Sequence, residues 1–396
     1  MKIASRLVNF DACPGDPFKA VATPIYQTAT FEQESAEQFG RYDYSRSGNP
    51  TRTALETLLA RLENADAAYC FSSGLAAISA VARLLSAGDE ILAGDDLYGG
   101  TYRLFSTILD RTGIGVRYAD ACDLQRFAAQ ITPRTRLIFV ESPTNPLLRI
   151  VDLRALAELA HEHGALLCVD SSAMSPYLQT PLDLGADVVV HSATKYLSGH
   201  GDVTAGVVAV RSPEIGERIY HVQNGEGACL GPFEAYLLLR SIKTLKLRID
   251  AQQANAARVA EYLRGHPAVQ KLYYPGRKEH RGHDLHFRQA RGAGAVISFQ
   301  TGSFDLSKRV AEATQIFRIR VSFGSVNSSI TLPGCMSHAS IPADVRKERA
   351  LAPDLVRLSV GIEDADDLIA DLEQAFAKAM QQEEALAQRV TAEQGS

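Results

Sequence analysis

The chain has 396 residues, which is longer than a chain that folds around one simple hydrophobic core. This length favours two domains, or one large domain with an appendage. Hydrophobic residues make up 46% and charged residues 22%, and the net charge of −5 gives no reason to expect nucleic acid or an anionic membrane as partner. No apolar run approaches the roughly 18 residues of a membrane span, and the N-terminus has no secretory apolar core. The six scattered cysteines predict reduced, buried thiols and a cytoplasmic protein.

Residues 1–50 show little helical periodicity and are interrupted by prolines, so we predict an extended arm. The arm ends in a segment, residues 41–46, that holds two tyrosines and two arginines. Such side chains are costly to leave unpaired. The segment could reach a partner subunit, or it could be a solvated loop.

A helix is predicted to begin after the arm, with Asn49 as N-cap and Pro50 at the first helical position. A short strand, 67–71, then runs through Ser72, Ser73 and Gly74 into an apolar helix at 75–85. A strand, a small turn and a helix make an anion-binding geometry, because free N–H groups at the helix start point outward. Many turns of this kind bind nothing.

Strands and helices continue to alternate up to about residue 210. Further strands are predicted at 90–93, 114–118, 136–140, 165–169, 187–190 and 206–210, and helices at 102–109 and 153–163. Alternation of this kind predicts an α/β fold in which a mainly parallel sheet is covered by helices on both faces.

Polar residues follow the ends of the predicted strands, namely Ser73, Tyr98, Asn145, Asp170 and Lys195. Ligands of parallel sheets bind at the carboxyl ends of the strands, so all five could face one crevice. The sequence has neither a Gly-x-Gly-x-x-Gly nor a Walker motif, which argues against a dinucleotide or nucleoside triphosphate site.

Lys195 is the most informative of these residues. It follows a buried strand and the hydroxyl residues Ser192 and Thr194. Desolvation there favours a neutral, nucleophilic amine, and the hydroxyls suit a phosphate. The combination suggests a Schiff base with pyridoxal phosphate, although a lysine after a strand can also be a solvated loop residue.

The pattern changes near residue 245. A long helix is predicted at 240–264, strands at 295–299, 316–322 and 357–360, helices at 308–314 and 364–379, and a frayed polar tail at 387–396. We therefore predict an arm (1–50), a large domain (51–245) and a smaller α+β domain (246–396). His280, His283 and His286 recur at a spacing of three, but no ligand shell is evident, and we expect no metal site.

Taken together, several motifs resemble the Cys/Met-metabolism family of fold-type I pyridoxal phosphate enzymes. They are residues 44–51, 72–74, 95–100, 142–146, 192–195, 237–245, 337–342 and 357–363. The resemblance covers about residues 14–380 and implies an aspartate aminotransferase-like fold. Residues 223–227, 283–287 and 323–326 are most similar to the plant-type cystathionine β-lyase branch.

The resemblance also implies roles for single residues. Lys195 and Tyr98 would be catalytic, and Asp170 would keep the pyridine nitrogen protonated. Cofactor contacts are implied for Lys195, Asp170, Ser73, Gly74, Leu75, Tyr98, Asn145, Ser192 and Thr194, and for Tyr44 and Arg46 of a neighbouring subunit. Substrate contacts are implied for Arg357 and Ser322 at the α-carboxylate, and for Tyr44, Asp43 and Arg103 further out; Asp43 and Arg103 could instead be solvated.

The implied activity is a carbon–sulfur β-lyase of methionine biosynthesis that converts L-cystathionine to homocysteine, pyruvate and ammonia, acting as a dimer of dimers. Members that act on the γ carbon usually carry a glutamate where this chain has Val321, and methionine γ-lyase-like members often have a cysteine at the position of Gly100. A γ-acting enzyme is the alternative, and a non-catalytic scaffold of the same fold is a remote one.

Overall fold

The structure is a computed structural model that describes residues 1–10, 16, 18–339, 342, 345–346 and 351–394. Cys13, residues 340 and 341 of the 337–342 motif, and the last two residues of the tail lie outside the described residues. Among the described residues, no helix is long and apolar enough to cross a membrane.

The N-terminal arm differs from the prediction at its start. Helix α1 spans Ile3–Val8 and buries Leu7, whereas no helix was expected there. Between residues 18 and 48 the described residues form no helix and only an isolated bridge between Thr30 and Tyr44. Large apolar side chains of this stretch are exposed, among them Phe18 and Phe39.

A seven-stranded sheet forms the larger layer. Its strands are β1 (Ala67–Phe71), β2 (Glu90–Gly94), β3 (Gly115–Ala119), β4 (Thr135–Glu141), β5 (Leu166–Asp170), β6 (Val188–Ser192) and β7 (Gly206–Val210). The order is β1-β7-β6-β5-β4-β2-β3, and only the pairings of β7 are antiparallel. The mainly parallel sheet is thus confirmed. Its central strands are apolar and buried on both faces, as helices on both sides require.

The helices of this part are α2 (Pro50–Glu63), α3 (Gly74–Ala82), α4 (Gly99–Arg103), α5 (Leu124–Ala128), α6 (Leu153–Glu162) and α7 (Ser175–Leu178). A π-helical turn, Leu104–Ile108, and a 3-10 turn, Leu109–Thr112, continue α4. Asn49 caps α2 as predicted, because its side chain accepts hydrogen bonds from the N–H groups of Thr51 and Arg52.

A second sheet of five strands lies C-terminal to the first. It has the order β10-β11-β12-β9-β8, with strands β8 (Lys271–Tyr273), β9 (Val296–Gln300), β10 (Arg318–Ile319), β11 (Ser329–Thr331) and β12 (Leu355–Ser359). The strand expected at 316–322 is reduced to two residues. The division at residue 245 stays a prediction.

The remaining helices are α8 (Pro213–Glu226), α9 (Pro232–Ile242), α10 (Leu245–Gly265), α11 (His283–Gln289), α12 (Phe304–Ala313) and α13 (Ala365–Gln394). The single helix predicted at 240–264 is two helices, α9 and α10, with a break between them. The expectation of a frayed tail from residue 387 is wrong up to Gln394, because α13 continues to that residue.

The cysteines follow the prediction only in part. The five described cysteines are free thiols, and Cys70 and Cys168 are buried in the sheet. Cys122 and Cys229 are half-buried, and Cys335 is exposed. Sequence position within apolar runs therefore identified the two strand cysteines and overestimated the burial of the others.

Candidate active site

A cavity of about 560 Å³ opens at the carboxyl ends of the parallel strands, between the two sheets. It is lined by the predicted residues Ser73, Gly74, Leu75, Tyr98, Arg103, Asn145, Asp170, Ser192, Thr194, Lys195, Ser322 and Arg357. Chain segments more than 280 residues apart in sequence meet here. The polar residues at the ends of the predicted strands therefore face one cavity, as the sequence predicted.

Lys195 lies in the turn that follows β6. Its Nζ donates a hydrogen bond to Ser322 Oγ at 2.5 Å and lies 5.1 Å from the centroid of the Phe323 ring. Burial, and then the positive charge of Arg357, lowers the pKa of Lys195 to about 8, while Asp170 opposes the shift. Both protonation states are thus accessible near neutral pH, as a nucleophile and proton carrier needs.

Asp170 is the last residue of β5 and is only 9% exposed. Burial raises the pKa of Asp170, whereas hydrogen bonds from Ser172 and the charges of His191 and Lys195 lower it. The backbone N–H of Ser172 donates to Asp170 Oδ1 at 2.9 Å. The carboxylate faces the cavity and can pair with a cationic ring nitrogen.

The N-terminus of α3 forms the anion-binding end of the cavity. Ser73 caps the helix, because its Oγ accepts from the N–H of Ala76. Gly74 lies so close to β6 that a Cβ there would come within 2.8 Å of Ser192 Cβ. The start of the helix and the side chains of Ser192 and Thr194 line the same space, and N–H and hydroxyl donors of this kind suit a phosphate. In this structure the Thr194 hydroxyl also hydrogen-bonds to the backbone of Ala205.

Arg357, in the middle of β12, is 1% exposed. Its Nη1 donates to Asn145 Oδ1 at 2.9 Å and its Nη2 donates to the carbonyl of Ser322 at 2.6 Å. Nε is buried without a hydrogen-bond partner among the described residues. Burial lowers the pKa of Arg357 to about 10. The guanidinium can still accept a carboxylate, and Ser322 is held beside it with a positive φ of 81°.

Sequence reasoning gave no role to several residues that line this cavity, among them Glu141 and Phe323. Glu141 ends β4 in register with Asp170, is 6% exposed, and lines the cavity. Phe323 also lines the cavity, next to Lys195. Asp170 was selected because it follows a predicted strand, and the same rule would have selected Glu141, which directly follows the predicted strand 136–140.

Three predicted residues do not line this cavity. Tyr44 is 39% exposed on the arm, and the Arg46 guanidinium lies 4.9 Å from the centre of its ring. Arg46 Nε also donates to Asn224 Oδ1 at 3.2 Å. Asp43 accepts from the backbone N–H of Tyr44 at its own Oδ1. Their roles in cofactor and substrate binding stay predictions.

The histidines at 280–286 are engaged with backbone carbonyls. His283 Nδ1 lies 2.8 Å from the carbonyl of Pro275, and His286 Nε2 lies 2.8 Å from that of Gly292. Burial lowers the pKa of His286 to about 4. Within the part of the chain that the structure describes, no group of three or more His, Cys, Asp or Glu residues is arranged to hold a metal ion.

Comparison with known proteins places the cavity in context. The family model described as "Cys/Met metabolism PLP-dependent enzyme" matches residues 4–377. The chloroplastic cystathionine beta-lyase of Arabidopsis thaliana is 56% identical over 374 residues, 94% of this chain and 80% of that protein. The cystathionine gamma-lyase of Bacillus subtilis is 49% identical over 376 residues, 95% of this chain and 99% of that protein.

A solved structure extends the likeness to three dimensions. The crystal structure of cystathionine gamma-lyase from Lactobacillus plantarum complexed with L-serine superposes with a TM-score of 0.93. The two chains are 44% identical, and the match covers 96% of this chain and 100% of the other.

Proposed function

Because this chain belongs to the Cys/Met metabolism family of PLP-dependent enzymes, we propose that it cleaves the Cβ–S bond of L-cystathionine to give homocysteine, pyruvate and ammonia. The predicted family and the fold-type I architecture are confirmed. One observation carries the proposal, namely that Lys195, Asp170 and Arg357 line one cavity together with the N-terminus of α3 and the side chains of Ser192 and Thr194. The 56% identity to a relative of this name supports the substrate.

The cofactor is pyridoxal 5′-phosphate, which supplies, when bound, an electron sink for negative charge that develops at the substrate Cα. The donor set of the cavity fits it. The N–H groups of Gly74 and Leu75, with the hydroxyls of Ser73, Ser192 and Thr194, would hold the phosphate. Asp170 would meet the ring nitrogen, Tyr98 would cover the ring, and Asn145 would contact the ring on its hydroxyl side.

Lys195 is assigned the proton transfers. Its Nζ would hold the cofactor aldehyde at rest. Once the substrate amine had taken its place there, the freed Nζ would remove the Cα proton of the substrate and deliver it to the thiolate that leaves. A pKa of about 8 suits both tasks, because neither protonation state is rare near neutral pH. The Ser322 hydroxyl positions the amine, and the Tyr98 hydroxyl is the second candidate proton donor at the thiolate.

Arg357 is assigned the α-carboxylate of the substrate. Its guanidinium is buried and already oriented by Asn145 and Ser322, so little side-chain freedom is lost on binding. A carboxylate would offer the acceptor that Nε lacks. Arg103, which also lines the cavity, is proposed with Asp43 to meet the distal end of the thioether substrate.

The choice of the β carbon rests on the position before Ser322. Val321 lines the cavity there and cannot act as the acid or base that a glutamate would supply. The second candidate is γ-elimination or γ-replacement, which the 49% identity to a Bacillus cystathionine gamma-lyase favours. The keto acid separates the two, because β-cleavage gives pyruvate and γ-elimination gives 2-oxobutyrate.

The decisive experiment incubates the purified, cofactor-loaded protein with L-cystathionine and measures pyruvate, 2-oxobutyrate and free thiol. We expect pyruvate and thiol in equal amounts. Lys195→Ala should lose turnover and the visible colour of the bound cofactor. Lys246→Ala removes a lysine that makes a surface ion pair with Asp250 and should keep both. Production of 2-oxobutyrate, or full activity without Lys195, would contradict the proposal.

We also propose that the site is shared between subunits of a dimer, within a dimer of dimers. Tyr44 and Arg46 lie on an arm with exposed apolar side chains, away from the cavity of their own chain. Mixing Lys195→Ala subunits with Arg46→Ala subunits should then restore up to about a quarter of the activity, since each mixed dimer holds one complete site. Sites confined to one chain would give no recovery.

A cytoplasmic location is supported by the free thiols of the described cysteines, which indicate a reducing compartment. The Arabidopsis relative is named chloroplastic, so location is tested separately by cell fractionation. We place the reaction in methionine biosynthesis, where homocysteine would be methylated. Disruption of the gene should then create a requirement for homocysteine or methionine that cystathionine does not relieve.

A further inference from the structure

Glu141 has no role in the reaction as described above, yet it is buried in the wall of the cavity. Its Oε1 accepts a hydrogen bond from the backbone N–H of Tyr98 at 2.8 Å. Its Oε2 faces the backbone N–H of Asn145 at 3.4 Å. We propose that Glu141 is a positioning residue whose single carboxylate fixes the place of both Tyr98 and Asn145 in the cavity.

The first oxygen acts through Tyr98. This residue directly precedes α4, and its ring packs so closely on the next turn that a Cβ on Gly100 would come within 2.3 Å of a ring carbon. The position of the Tyr98 ring therefore depends on the position of the Tyr98 backbone. By holding the Tyr98 N–H, Glu141 sets how far the aromatic face reaches over the cavity.

The second oxygen acts through Asn145. The Asn145 side chain accepts from Arg357 Nη1 at 2.9 Å, and its backbone carbonyl lies 3.2 Å from His338 Nε2. A displaced Asn145 would move the guanidinium that is assigned the substrate carboxylate. Glu141 is thereby linked to Arg357 by two consecutive hydrogen bonds, one from the Asn145 N–H to Glu141 and one from Arg357 to the Asn145 side chain. Its other oxygen holds Tyr98.

The location of Glu141 is unfavourable for stability alone. It lies in register with Asp170 on the adjacent strand, and burial, with the charge of Asp170, raises its pKa well above the ordinary value. Two buried carboxyl groups side by side cost free energy unless other groups compensate them, and such pairs are concentrated at functional sites. The two backbone N–H groups are the partners that compensate Glu141.

The test compares Glu141→Gln with Glu90→Gln. A glutamine keeps the shape of the side chain but presents an NH₂ group to one of the two N–H donors, so one bond is lost. Glu90 is a buried glutamate of the same sheet, at the start of β2 and therefore at the opposite end of the parallel strands, where it pairs with Arg117 and Arg134. Glu90→Gln should lower thermal stability and leave the active site unchanged.

For Glu141→Gln we expect kcat/KM with L-cystathionine to fall about 10- to 100-fold, the loss typical of leaving a buried N–H donor without its acceptor, with KM raised as well as kcat lowered. The visible circular dichroism of the bound cofactor should weaken, because the ring is no longer held in one orientation. Unchanged dichroism and kinetics, or changes equal to those of Glu90→Gln, would overturn the proposal.

The positioning role of Glu141 rests on the proposed function only where it is tested by kcat/KM with L-cystathionine. Circular dichroism is measured on the cofactor-loaded protein without substrate, so it reports on Glu141 even if the substrate is not L-cystathionine. If wild-type protein forms no pyruvate but Glu141→Gln still loses the dichroic signal, the proposed function is wrong and the positioning role stands.

Discussion

Replacing Lys195 by methionine should stabilise the cofactor-free protein while it abolishes catalysis. Burial and the charge of Arg357 lower the pKa of Lys195 from 10.5 to about 8, so the fold holds the ammonium less favourably than the unfolded chain does. A shift of this size corresponds to about 3 kcal/mol. The side chain is partly solvated, and the hydrogen bond to Ser322 is lost, so we expect a net gain of about 2 kcal/mol.

The stability advantage of Lys195→Met should depend on pH. Between pH 8 and 10.5 the unfolded chain binds the lysine proton and the folded chain does not, so the wild type gains stability as the pH rises. The advantage of Lys195→Met should therefore be complete below pH 8 and vanish above pH 10.5. A matched control is Lys246→Met, because a hydrogen bond to Asp250 raises the pKa of Lys246 and its removal should bring no gain.

The assay is thermal unfolding of the two cofactor-free variants and the wild type at pH 7 and at pH 10.5. We expect Lys195→Met to melt a few degrees above the wild type at pH 7, and the difference to narrow at the higher pH. A lower melting temperature at pH 7, or an advantage that does not change with pH, would refute the reasoning that Lys195 is held in a desolvated site.

Three further predictions concern the same cavity. Arg357→Lys should lower kcat/KM by about 30- to 100-fold, mainly through KM, because an ammonium cannot bind a carboxylate in two places. The control is Arg248→Lys, which changes another buried arginine with a pKa lowered to about 10 and should leave kcat/KM unchanged. Gly74→Ala should weaken cofactor binding at least about tenfold in a cofactor titration, because its Cβ would press on Ser192, whereas Gly225→Ala, with open space around it, should bind normally. Removal of the cofactor should lower the melting temperature and its return should restore it, and an unchanged melting curve would contradict specific binding to the folded state.

Strand ends were the most reliable guide to the site. The apolar run before Lys195 and the run before Asp170 each predicted a buried strand, and both strands lie side by side in the sheet. The carboxyl ends of parallel strands share one edge, so polar residues at those ends were brought together without knowledge of the strand order.

Local reasoning failed where tertiary contacts decide the backbone. The strand expected at 316–322 is only two residues long, Arg318–Ile319, and the expected range also includes Ser322, whose positive φ does not belong to a strand. The predicted helix at 240–264 is split, although Lys243 and Thr244 are not helix breakers by type. Propensity is a weak prior, and packing against neighbouring elements overrides it.

What the sequence determined by itself is the set of chemical groups and their order, namely a lysine and a carboxylate at strand ends, a capped helix after a small turn, and an arginine near the C-terminus. The tertiary structure alone decided that Glu141 accepts hydrogen bonds from the backbone N–H groups of both Tyr98 and Asn145, and that Tyr44 and Arg46 lie away from the cavity of their own chain. The physical reason is that periodicity reports which face of an element is buried, whereas hydrogen bonds between distant segments depend on how the elements are placed in space.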